Sequence, residues 1–392
     1  MLPNRAFYLN FMKNSFLILT FISLYYSCNF SGKSEGDGYL TLTDSLTIQI
    51  TTDIEPYTYT MQYKEGFIYW WNQNRQTISR FNIEKGISED FLKYEYEGPN
   101  GIGDPMGFYI HNEDSIYLPK KNTHNVNLLN RSGELLNVFN YYNENIDIYP
   151  AISYSTFGMQ FRAYENRLIL LNQNYNPYTL DPASKLKEYY PFFEINMNNG
   201  KSHVLNFQFG NNIIDKLAVG FGSAYMIKGN KLYSKHHDSR YLYIFDLENN
   251  TSEEIFLKSN LLTNFSNEYL IGTNQMDIET FQRKFYKSAQ IFGFTYDSFQ
   301  KVFYEFGWPG DELNASNRPI TNISRFLPYF VINIYNQKLE LIGEHTVPSN
   351  TYLPHLYFVD QRGLNLFATH PDNPNNVDEN KISIHTYSFS PN

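Results

Sequence analysis

The chain has 392 residues and a single cysteine, Cys28, so an internal disulfide is excluded. It has no long block of like charge: 40 acidic and 31 basic residues give a formal net charge of -9. That balance argues against a nucleic-acid partner, whose binding surfaces are basic. Reaction motifs are missing as well, with no HExxH, no paired CxxC and no P-loop lysine. Long amphipathic helical periodicity is absent beyond one short stretch. What the chain has in quantity is aromatic residues, 34 Tyr and 32 Phe spread over its whole length. With 42% hydrophobic and 18% charged residues, this is a composition that folds.

Near the start, Ser15 to Tyr26 (SFLILTFISLYY) follows Lys13 and precedes Ser27 and Cys28. A basic residue, an apolar dozen and a small residue make a signal peptide, and the run is too short to be a spanning helix. Met12-Lys13-Asn14 is itself a compact basic start, which points to Met12 as the true initiator. The stretch Leu24 to Cys28 (LYYSC) resembles a relaxed lipobox, departing from the commonest form in its two tyrosines. Cys28 is therefore the expected lipid attachment point, and two or three acyl chains give firm anchoring. Residues 1–28 are expected to be the signal peptide, 29–38 (NFSGKSEGDG) a flexible tether, and 39–392 one exported domain. The expected location is the cell envelope at the outer membrane, with the periplasmic or external face left open.

After the tether, short runs of Tyr, Phe, Ile, Leu and Val alternate with Asn, Asp, Gly, Pro and Ser clusters, the pattern of an all-β fold. The repeating element is a hairpin. Gly66 to Asn72 and Thr77 to Ile83 lead to a turn at Gly86, and Ser115 to Leu118 and Val126 to Leu129 to one at Arg131-Ser132-Gly133. Arg167 to Asn172, Tyr178 to Asp181 and a return through Leu186 to Phe193 place a third turn near Ser184. Later turns fall near Asn250, Phe299, Gln337 and Asn376. Spacings of about 40 to 50 residues are those of propeller blades. Seven copies predict a single seven-bladed β-propeller, or six blades if one hairpin is an elaboration. The leading strand Tyr39 to Ile50 has no hairpin of its own and is expected to complete the last blade, which closes the ring and removes two sheet edges. One helix is expected, Ile278 to Lys287, outside the sheets.

The run Tyr94 to Gly103 (YEYEGPNGIG), with Glu97-Gly98-Pro99-Asn100-Gly101 as its most specific piece, resembles the signature of a Bacteroidota lipoprotein family, domain of unknown function 4221. The order of the helical segment, Val302 to Phe306, Phe330 to Glu344 and the closing strands is similar too. The resemblance implies a lipid-anchored, propeller-like envelope protein and carries over no catalytic residues.

Candidate sites divide into a few groups. Gly98 to Gly107 lacks the lysine and the helix of a phosphate loop and is expected to be a tight loop between strands, near the channel mouth. His236-His237-Asp238 is the densest ligand-type cluster, but adjacent strand histidines face opposite ways, so one shared ion is not expected. His345, His355, His370 and His385, like that pair, are expected to be solvated loop residues. No cofactor is expected; a channel Ca²⁺ on Asp53, Glu55, Asp104 and Asp311 is the one open option. Trp70, Trp71 and Trp308 are expected in blade packing rather than on sugars. Asp44-Ser45-Leu46 and Asp114-Ser115-Ile116 resemble short O-glycosylation signals.

The function expected from this pattern is a non-enzymatic, membrane-anchored module that binds an envelope protein or a glycan. The alternative is a metal-assisted hydrolase or lactonase, or a glycan-processing enzyme, using acidic and His residues at the central channel. Propellers host both, so the content of the channel decides.

Overall fold

The computed structural model describes residues 39–142, 149–172, 190–209, 223–266, 277–310, 326–375, 378 and 380–390. Residues 1–38, which hold the expected signal peptide, Cys28 and the expected tether, lie outside them, as do Ser184, Asp311 and Asn376. Strand β1 (Leu40–Gln49) comes first and is held over for the last blade. Blade 1 is β2 (Met61–Lys64), β3 (Phe67–Asn72), β4 (Thr77–Asn82) and β5 (Ile87–Lys93). Blade 2 is β6 (Tyr109–Asn112), β7 (Ser115–Pro119), β8 (Asn125–Leu129) and β9 (Leu135–Asn140), and blade 3 is β10 (Arg162–Tyr164), β11 (Arg167–Leu171), β12 (Phe192–Asn196) and β13 (Ser202–Val204). Blade 4 is β14 (Ser223–Lys228), β15 (Lys231–His236), β16 (Tyr241–Asp246) and β17 (Thr251–Phe256). Helix α1 (Ile278–Lys287) precedes blade 5, which is β18 (Gln290–Asp297), β19 (Val302–Trp308), β20 (Val331–Tyr335) and β21 (Leu341–Thr346). Blade 6 is β22 (Tyr357–Asp360), β23 (Gly363–Phe367) and β24 (Lys381–Phe389), with β1 as its outer strand.

Each blade is an antiparallel meander, and the six pack in a ring. Apolar clusters join blade 1 to 2, 2 to 3, 3 to 4, 4 to 5 and 5 to 6. A sixth cluster, with Ile68, Trp70 and Phe81 against Phe367, Ile382 and Ile384, joins blade 6 back to blade 1. That closed cycle makes the domain a β-propeller, six-bladed among the described residues. Middle strands are packed on both faces and so are nearly all apolar, as in β11 and β23, whereas outer strands such as β17 are largely exposed. Trp70 and Trp71 show the alternation of a strand directly: Trp70 packs toward blade 6 and Trp71 toward blade 2.

The closing strand forms as its position predicted, with β1 pairing β24 along its length from Leu40–Phe389 to Gln49–Lys381. The count of seven came from the hairpins around Phe299 and Gln337. These are the two halves of one sheet, since β19 pairs β20 across the long 309–330 insertion, which looks like a boundary between blades. In blade 3 the stretch 186–193 reaches only the start of β12, the third strand, and the outer turn falls at Asn198 to Gly200 instead. Helix α1 forms over the expected residues, capped by Asp277, whose carboxylate accepts from the Thr280 amide at 2.9 Å. Among the described residues no helix is long and apolar enough to cross a membrane.

Candidate functional site

The innermost strands of the six blades, β2, β6, β10, β14, β18 and β22, border the channel. They enclose a cavity of about 390 Å³, with lining residues from all six blades. One end is closed by the loop that enters β10. Its Ser155 amide donates to Tyr59 O at 2.8 Å, and its hydroxyl accepts from the Met61 amide of blade 1 at 2.9 Å. A 3-10 turn, Thr156–Gly158, then reaches the other side, where Phe157 stacks on Phe292 of blade 5 at 5.0 Å between ring centroids. Gly158 has a φ of +65°, and a Cβ there would lie 2.9 Å from the Ala224 Cβ of blade 4. Only glycine fits both the backbone and the gap.

Among the described residues the charged side chains of the lining are cations, Arg162 and Lys228, with His355 beside them, and no Asp or Glu. Burial pulls the His355 imidazole down to about 4, and its Nε2 lies 3.3 Å from Thr58 O, so the ring is neutral. Tyr63, Tyr109, Tyr296 and Tyr357 supply aromatic faces. Tyr357 is pushed up to about 12 by burial, against the opposing pull of Arg162 from the blade across the ring. Gln62 is occupied elsewhere: its side chain donates to Ile110 O at 2.8 Å and accepts from the Ile110 amide at 2.7 Å, tying blade 1 to blade 2.

Of the carboxylates proposed for a Ca²⁺ site, Asp53, Glu55 and Asp104 are not brought together at the cavity, and Asp311 lies outside the described residues. Asp53 meets Arg75 as an exposed pair, Glu55 accepts from the Asn74 amide at 3.2 Å, and Asp104 meets Lys121 at 3.0 Å. The family-type loop sits between blades 1 and 2. Asn100 Oδ1 accepts from the Leu135 amide of β9 at 3.3 Å, Gly98 has a φ of +98°, and a Cβ on Gly101 would fall 2.5 Å from the Glu97 carbonyl carbon. Glu97, Gly98, Pro99 and Asn100 are exposed there, and the loop reaches the cavity only further on, at Phe108.

The histidines correct two expectations. His236, His237, His345, His355 and His370 are buried rather than solvated, and His236, His345 and the half-buried His385 lie in strands β15, β21 and β24 rather than in loops; the rings of His236 and His237 pack on Phe209, Phe157 and Phe285. The alternation rule also fails for the adjacent pair, because β15 ends at His236 and His237 lies beyond it. Their ring centroids are 4.3 Å apart, His236 Nδ1 is 2.7 Å from Asp238 Oδ1, and the three residues offer ligand atoms within 4.8 Å of one another. Trp308 is buried against α1, donating to Tyr286 O at 2.6 Å.

These features define a class: a β-propeller, six-bladed among the described residues, with a cation- and tyrosine-lined chamber on its axis. The chain belongs to the family described as Domain of unknown function (DUF4221), which matches residues 38–346. A crystal structure of a member of that family from Bacteroides vulgatus is similar over 90% of this chain and 98% of its own, with TM-score 0.75 and 18% identity. A Bacteroides fragilis protein whose name proposes export is similar over 90% of this chain and 96% of its own, with TM-score 0.53 and 10% identity. At these identities the likeness speaks for the fold. No curated protein matches the chain in sequence.

Proposed function

We propose that this protein is a lipid-anchored binding module of the cell envelope, attached through Cys28, which holds a group of its glycan or protein partner in the central cavity. The observation that carries the reading is the lining itself. Six blades converge on tyrosine faces and two cations, and small-ligand sites combine apolar and aromatic walls with a few placed polar groups in this way. The cavity volume of about 390 Å³ sits at the small end of the roughly 300–1,000 Å³ typical of such sites. Export is supported by the apolar run before Ser27-Cys28 and by the name of the Bacteroides fragilis relative.

Thr295 lines the cavity and is half-buried, so Thr295→Trp would fill it. Immobilised wild-type protein should retain envelope glycan or protein fractions that Thr295→Trp does not; equal retention would refute the cavity as the binding site. Separately, fatty-acid labelling of cells should mark the wild type and not Cys28→Ala, whereas label on both or on neither would refute the anchor. A second reading, a metal-assisted hydrolase, is favoured by the grouping of His236, His237 and Asp238. Zinc measured in untagged protein and lost in His236→Ala would support it.

A further inference from the structure

The cavity's arginine stands apart from the other described arginines. Every other described arginine lies within ion-pair distance of a carboxylate. Among the described residues Arg162 has only neutral acceptors: Gln160 Oε1 at 3.3 Å from both terminal nitrogens and Phe161 O at 3.1 Å. Gln160 is itself fixed, donating to Met61 O and to Ser155 Oγ, the latter at 2.8 Å. It therefore presents the guanidinium in one orientation, with the Nε–H and one Nη2–H left over among the described residues. Lys228 has neither a hydrogen bond nor an ion pair among the described residues; its ammonium lies 3.9 Å from the centroid of Tyr296. Burial draws that ammonium below its ordinary value. A partly desolvated cation without a counter-ion is unfavourable, and an anion relieves it.

Resting on the reading of the cavity as the binding site, we propose that its ligand carries a carboxylate and belongs to the class of acidic sugars, with Arg162 and Lys228 holding the anion. A guanidinium presents two parallel N–H donors to a carboxylate, and an ammonium adds a point charge. Tyr63, Tyr109, Tyr296 and Tyr357 provide rings that cover the C–H face of a pyranose and hydroxyls that meet its own. The volume suits one or two sugar rings better than a polymer strand.

Isothermal titration with galacturonate and glucuronate tests this, with galactose and glucose as neutral counterparts and succinate as a carboxylate without a ring. The expected result is uronate binding that weakens with added salt, exceeds the neutral sugars at least tenfold, and falls at least tenfold in Lys228→Met and in Arg162→Gln. Arg162→Lys keeps the charge and loses the fork, and should fall between; it replaces Arg162→Gln if that variant does not fold. Equal binding of neutral sugars, preference for succinate, unchanged binding in Lys228→Met, or no uronate binding would each overturn the proposal. Retention of an envelope fraction that Thr295→Trp abolishes, together with no uronate binding, would overturn the ligand class and leave the cavity reading standing.

Discussion

Lys228 and Lys235 lie on neighbouring strands of blade 4, and their surroundings are opposite. Lys235 is fully buried between blades 4 and 5, 3.2 Å from Glu305, with Arg240 3.6 Å from the same carboxylate. Asn333 and the Tyr335 hydroxyl donate to Glu305 at 2.7 and 2.9 Å. Burial alone would raise the Glu305 carboxyl, but the two cations and the two donors outweigh it and hold it below its usual range. Lys228 faces the cavity with aromatic rings and, among the described residues, no carboxylate. Where a cation is sealed between blades, the fold supplies the anion; where it faces the chamber, the place of the anion is left for a ligand.

Breaking the sealed pair should have the largest effect. Glu305→Gln strands two cations in the interior and should cost about 3–5 kcal/mol, measured by denaturant unfolding. A change under about 1 kcal/mol would mean that the pair is solvated in the folded protein. Next comes the cavity floor: Gly158→Val forces a β-branched residue into a left-handed backbone against Ala224 and should cost about 1–3 kcal/mol. Wild-type behaviour would show that the 3-10 turn does not close the channel. Acidification gives a smaller, graded effect. Because the folded Glu305 carboxyl is held low, its contribution is complete above the ordinary carboxyl value of 4.5 and is lost as pH falls through the folded value. Stability measured against pH should therefore fall less steeply below that value in Glu305→Gln than in the wild type. Smallest of all, Lys228→Met should leave stability within about 0.5 kcal/mol, and a large loss would mean that Lys228 serves the fold after all.

The contrast also explains what the sequence could disclose. Turns at Gly86, Gly133 and Asn250 were legible because each needs a positive φ that Gly or Asn adopts readily. The closing strand was legible because Leu40–Gln49 alternates apolar and polar residues with no partner nearby. The cavity was not. Its inner strands are as short as Arg162–Tyr164 and Met61–Lys64, too short for a period of two, and their Arg, Gln and Lys look like loop residues. Nor could spacing show that Arg162 alone among the described arginines would lack a carboxylate, since ion pairs join residues as distant as Lys235 and Glu305. The His236-His237-Asp238 corner was misread for a related reason: strand alternation was applied one residue past the strand's end.

The most direct test of the account is a crystal structure of the protein soaked with galacturonate. The account predicts a carboxylate within hydrogen-bond distance of the Arg162 guanidinium, the Lys228 ammonium turned toward it, and the sugar ring against the tyrosine faces. Galacturonate bound elsewhere, with Arg162 and Lys228 still untouched, would contradict it.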